Sequence, residues 1–71
     1  MHISDEDFCL MVEGKFGWSV GQQAADLLIG GESLEEQNEY ALEEILILAK
    51  KYKPDLAEEI TEYLAKIGVA A

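Results

Sequence analysis

The sequence predicts an all-α fold, a compact four-helix bundle-like domain spanning 1–71, and three observations predict it. First, four capping patterns stand ahead of apolar periodic segments: Ser4 with Asp7, Ser19 with Gln22, Ser33 with Glu36, and Asp55 with Glu58. In such a pattern the first side chain accepts a bond from a free N–H of the opening turn, and the residue three on reaches back to the cap's own N–H. Second, stop signals separate them: Gly14 and Gly17, Gly30-Gly31, Lys53-Pro54, and Gly68. Third, no run alternates polar and apolar residues, so strand signals are missing. Helices are expected near 5–13, 20–29, 34–52 and 55–67.

Each element has its own reason. The first segment is apolar on nearly every side from Phe8 to Val12, which predicts a central or covered helix. The second gathers Val20, Ala24, Leu27 and Leu28 on one stripe. The third, entered at Ser33, carries Leu34, Ala41, Leu42, Ile45, Leu48, Ala49 and Tyr52 on its core side, with Glu36, Glu39, Glu43 and Lys50 roughly opposite. The fourth places Leu56, Ile60, Tyr63, Leu64 and Ile67 against Glu58, Glu59, Glu62 and Lys66, the pattern of an amphipathic core helix.

Charge narrows the function classes. The chain carries 15 acidic residues against 5 basic ones, for a formal net charge of -10. Glu32, Glu35, Glu36, Glu39, Glu43 and Glu44 follow one another with no Lys or Arg among them, and the chain has no Arg at all. That field repels nucleic acid and anionic membrane and attracts basic protein surfaces. Part of the run is helix design, because Glu32, Glu35 and Glu36 sit where a helix dipole favours acids. At 71 residues the chain supports one domain of marginal stability, so a homodimer would be a natural supplement. Its 49% hydrophobic content argues against disorder.

Cys9 is the one cysteine, set between Phe8 and Leu10, and reads as a small buried hydrophobe. The start of the chain opens with acids where a signal peptide needs bases, and no apolar run, Ile45–Ala49 included, is long enough to span a bilayer. A soluble, cytoplasmic protein is expected.

No chemistry of catalysis stands out. His2 and Cys9 are each alone, so no metal-ligand cluster and no nucleophile–base pair appears, and neither a cofactor nor an enzymatic role is expected. Residues 22–36 have the outline of a helix-turn-helix, with an Ala, a turn Gly and a capping Ser. The positions that would enter the major groove are Glu35, Glu36 and Glu39, which phosphates repel, so direct nucleic-acid binding is excluded there.

Gly30-Gly31-Glu32-Ser33-Leu34 resembles the Asp-Ser-Leu site of acyl carrier proteins, which are also short, acidic and four-helical. That resemblance implies Ser33 as a phosphopantetheine attachment point at the start of a long helix. Glu36 and Gln37 stand where that family usually has small or apolar residues.

Tyr40 and Ile47 depart from the core stripe of the third helix, seven residues apart and flanked by Glu36, Glu43, Glu44 and Lys51. Either another helix of the chain folds over them, or they form an apolar spot rimmed by carboxylates, as a binding surface requires. Trp18 is similarly open between a bundle-end plug and a contact residue. The reading that gathers most of these features is an acidic helical module, a regulator or inhibitor that docks on a basic protein surface through Glu36, Glu39, Tyr40, Glu43, Glu44 and Ile47. A nucleic-acid mimic, an acyl-carrier-like protein and a self-associating module are the alternatives.

Overall fold

In the computed structural model, which describes residues 3–68, the chain forms α1 (Asp5–Phe16), α2 (Trp18–Leu28), α3 (Glu39–Tyr52) and α4 (Pro54–Lys66), with a short 3-10 turn at Leu34–Glu36. The all-α expectation holds, and among the described residues no segment is a strand.

α1 begins as its sequence predicts. Ser4 is extended and its hydroxyl accepts the Asp7 N–H at 3.1 Å, while Asp5, Glu6 and Asp7 fill the first turn. The helix does not stop at 13. It runs through Gly14 because Phe16, half-buried against the core, rewards one more turn. The stop is Gly17, whose φ of 105° suits glycine and whose N–H reaches Glu13 O at 2.9 Å. Gly14 keeps an ordinary φ, is exposed, and would offer open space to a Cβ. Gly14→Ala is therefore expected to stabilise the protein by about 0.5–1 kcal/mol, read as a higher urea midpoint. A lower midpoint would show that the glycine is needed there.

Gly17 alone connects α1 to α2. With so short a turn α2 starts at Trp18, and Ser19 falls inside the first turn instead of capping it; this corrects the expected start at 20. The two helices fold back on each other about Gly17, and Gly21, four residues after it, lies against Glu13, four residues before it. α3 and α4 repeat the arrangement about Lys53. Pro54 takes the first helical position of α4, where its missing N–H and fixed φ are tolerated. Asp55 thus lies in the first turn, favouring the dipole, and is not the cap expected of it. Gly68, with φ 89°, follows the end of α4 as predicted.

The expected helix over 34–52 is broken in two. Gln37 and Asn38 are both extended, with φ/ψ of -99°/156° and -72°/140°. The capping signal at Ser33 is satisfied by a single 3-10 turn, in which the Glu36 carboxylate accepts the Ser33 N–H at 3.3 Å. Gln37 is buried, its amide reaching Glu32 Oε1 and Ser33 O, each at 3.4 Å. The Asn38 N–H is taken by Gln23 Oε1 of α2 at 2.8 Å, and Asn38 then serves as the N-cap of α3. A bond to α2 thus replaces the helical bond that a continuous segment would have needed.

The core joins Phe8 and Val12 of α1, Val20 and Ala24 of α2, Leu42 and Ile45 of α3, and Ile60 and Leu64 of α4, with Cys9 among them. α3 touches both members of the first pair as well as α4, so it is the central element. Asp5 and Lys53 pair at 2.6 Å, tying the start of α1 to the α3–α4 link. Among the described residues no helix is long and apolar enough to cross a membrane.

Candidate functional site

The outer face of α3 is where the predicted surface lies. Helical residues three and four apart share a face, so Tyr40, Glu43, Glu44, Ile47 and Lys50 fall along one side of α3, turned away from Ala41, Ile45 and Leu48. Among the described residues no helix covers this side: Tyr40 is 55% exposed and Ile47 57% exposed. Between α3 and α4 lies a shallow groove of about 640 Å³, with Tyr40 and Ile47 on its α3 wall. Its floor is apolar, formed over the buried side chains of Leu46 and Leu64, and Glu43, Glu44 and Lys50 complete it.

Four of the six predicted site residues, Tyr40, Glu43, Glu44 and Ile47, therefore line one groove. Glu39 is exposed in the first turn of α3, one turn before Glu43, and lies just outside it. Glu36 is separated from the others by the break at Gln37–Asn38. Its carboxylate faces Ser33, accepting the backbone N–H and the hydroxyl, the latter at 3.1 Å. The expected edge of Glu36, Glu39 and Glu43 presupposed a continuous helix, and it does not form. Leu46, Lys50 and Leu64 belong to the groove and were not among the predicted residues.

Ser33 borders a second cavity of about 540 Å³ with Leu27, Leu28, Leu34 and Leu56 on its apolar side. The long helix that an acyl-carrier-like site would start is here a three-residue turn, and the Ser33 hydroxyl is engaged by Glu36. A third, smaller depression of about 240 Å³ lies on the α1–α2 face, bordered by Leu10, Ile29, Glu6 and Glu13. Trp18 is 69% exposed and plugs nothing.

Cys9 is buried, and burial pushes its thiol above the ordinary range; the Asp5 charge adds to this and Lys53 opposes it. A thiol held protonated is a poor nucleophile and a poor metal ligand. Among the described residues no three His, Cys, Asp or Glu side chains converge as a metal site. His2 lies outside the described residues.

Comparison with known proteins finds no matching family model, no matching curated protein and no matching solved structure.

Proposed function

We propose that the chain is a binding module and not an enzyme, a cytoplasmic regulator or inhibitor that docks on a basic protein surface through the α3–α4 groove. The observation that carries this reading is the exposure of Tyr40 and Ile47 over an apolar floor, with carboxylates beside them. Isolated exposed apolar residues are ordinary, but two large ones converging on one groove with a charged rim have the anatomy of an interface.

Charge and apolar contact have separate tasks. The net charge of -10 steers a basic partner toward the molecule and speeds encounter. Affinity then comes from removing Tyr40 and Ile47 from water against the partner. The same charge opposes self-association, since two copies repel each other. A partner that itself binds nucleic acid would make the module a nucleic-acid mimic, with Glu43 and Glu44 standing where phosphates lie.

The test begins with photo-crosslinking from position 47 in native extract, followed by association kinetics with the purified partner. The association rate is expected to fall at least about tenfold between roughly 20 and 200 mM salt, as screening shortens the reach of the charges. Glu43→Gln with Glu44→Gln is expected to slow association several-fold and leave the thermal melt unchanged. A rate indifferent to salt would remove the steering mechanism. If sedimentation shows a wild-type dimer that Ile47→Asp dissociates, the groove is a self-association seam instead.

A further inference from the structure

We propose that the partner of this groove is an amphipathic α-helix with two apolar anchors two turns apart and Lys or Arg on the flank that faces α3. This rests on the docking reading above and specifies its occupant. Three features of the site lead to it.

The first is the backbone of the occupant. A peptide lying over Leu46, Ile47 and Leu64 loses water from one side of its main chain, so its N–H and C=O groups need partners. Extended segments usually find them by adding to a sheet edge, but the described residues contain no strand to offer one. A helix closes its own hydrogen bonds and needs none from the groove.

The second is spacing. Tyr40 and Ile47 are seven residues apart on α3, which puts them roughly 10.5 Å apart along its axis at 1.5 Å per residue. Seven residues is also the repeat at which a partner helix returns the same face, so two of its side chains can seat beside these two.

The third is the position of the acids. Glu43 and Glu44 are three and four residues after Tyr40, and four and three before Ile47. At about 100° per residue they fall on opposite sides of the line joining the two anchors. Both carboxylates belong to the α3 side of the groove, midway between the anchors, and meet the flank of the occupant that faces α3. Lys50 and the exposed Lys51 follow one turn beyond Ile47 and close that end with the opposite charge. A helix with an apolar stripe and a basic flank set opposite Glu43 and Glu44 meets the anchors and the carboxylates at once, and an acidic flank there is repelled.

The probe is a synthetic helical peptide of about four turns with Leu at positions i, i+3, i+4 and i+7, Lys on one flank and Ala elsewhere. Its control has the same composition in scrambled order, and both are labelled and titrated onto the full 71-residue chain by fluorescence anisotropy. The amphipathic peptide is expected to bind at least about tenfold tighter than the scramble. Ile47→Asp should erase that advantage, although it makes the protein still more acidic. Leu10→Asp makes the same charge change on the α1–α2 face and should leave binding within about twofold. Tyr40→Ala supplies a loss without added charge, and circular dichroism verifies each fold.

If the scramble binds as well as the ordered peptide, the helix inference fails while charge-driven docking stands. If neither basic peptide binds, both fail. Loss with Leu10→Asp but not with Ile47→Asp would move the site to the α1–α2 face and overturn the inference.

Discussion

Gly21→Val is expected to remove most of the protein's stability. A Cβ at position 21 would lie 2.6 Å from Glu13 Cβ and 3.0 Å from Glu13 Cα. These atoms belong to the main chain of α1 and its first side-chain carbon, so no rotamer change relieves the overlap. α1 must move away from α2, and the single-residue turn at Gly17 leaves little freedom to do so. Overpacking of this kind costs about 3 kcal/mol at the upper end of its usual range. A core of this size rarely supplies more than about 3–5 kcal/mol in total. Gly21→Ala suffers the same first contact, but helix propensity returns about 1 kcal/mol, so it should fall between valine and wild type. Urea titration followed by circular dichroism reads the order, and a valine variant melting with wild type would show that the close approach is not real.

The second large effect contrasts two isoleucines two positions apart. Ile45→Asp is expected to abolish the fold, whereas Ile47→Asp should change stability by no more than about 0.5 kcal/mol. Ile45 is fully buried in a cluster of hydrophobic residues. Burying that charge unpaired costs several kcal/mol, comparable with everything the core supplies. Ile47 points into solvent over the groove, so an aspartate stays hydrated. The pair separates folding from binding: the Ile47 variant should have a wild-type melt and lost docking. A large drop in its melting temperature would mean that Ile47 is part of the core and not of a binding surface.

Much of this was legible in the sequence because helix periodicity is a local signal. The stripe of Leu42, Ile45 and Ala49 and the outlying pair of Tyr40 and Ile47 both follow from 3.6 residues per turn, whatever surrounds them. What covers a face is not local. Nothing near residue 47 says whether a neighbouring helix lies over it, and Leu64, which shares its groove, comes from a different helix.

The break at Gln37–Asn38 was hidden for a related reason. Ser33 and Glu36 form the same capping pair whether one turn follows or five, and the Glu-rich stretch favours a helix on propensity. The decision is made by Gln23, fifteen residues earlier, which takes the Asn38 N–H. Asn38 before Glu39 was itself a readable start signal, overshadowed by the stronger pattern at Ser33. Gly14 and Gly17 illustrate the limit again, since only the packing of Phe16 distinguishes the glycine inside the helix from the one that ends it.

The two one-residue turns have a kinetic consequence. When Gly17 and Lys53 each bring adjoining helices together, the joined surfaces come from residues close in sequence, and closing such short loops costs little chain entropy. Folding dominated by local contacts is fast, in the microsecond-to-millisecond regime of small helical proteins. The later event is the meeting of the two pairs, which requires the segment from Ile29 to Asn38 to find its place against α2. Interactions that span that step, such as Asp5 with Lys53 and Asn38 with Gln23, belong to the end of the folding path and should govern how slowly the molecule comes apart.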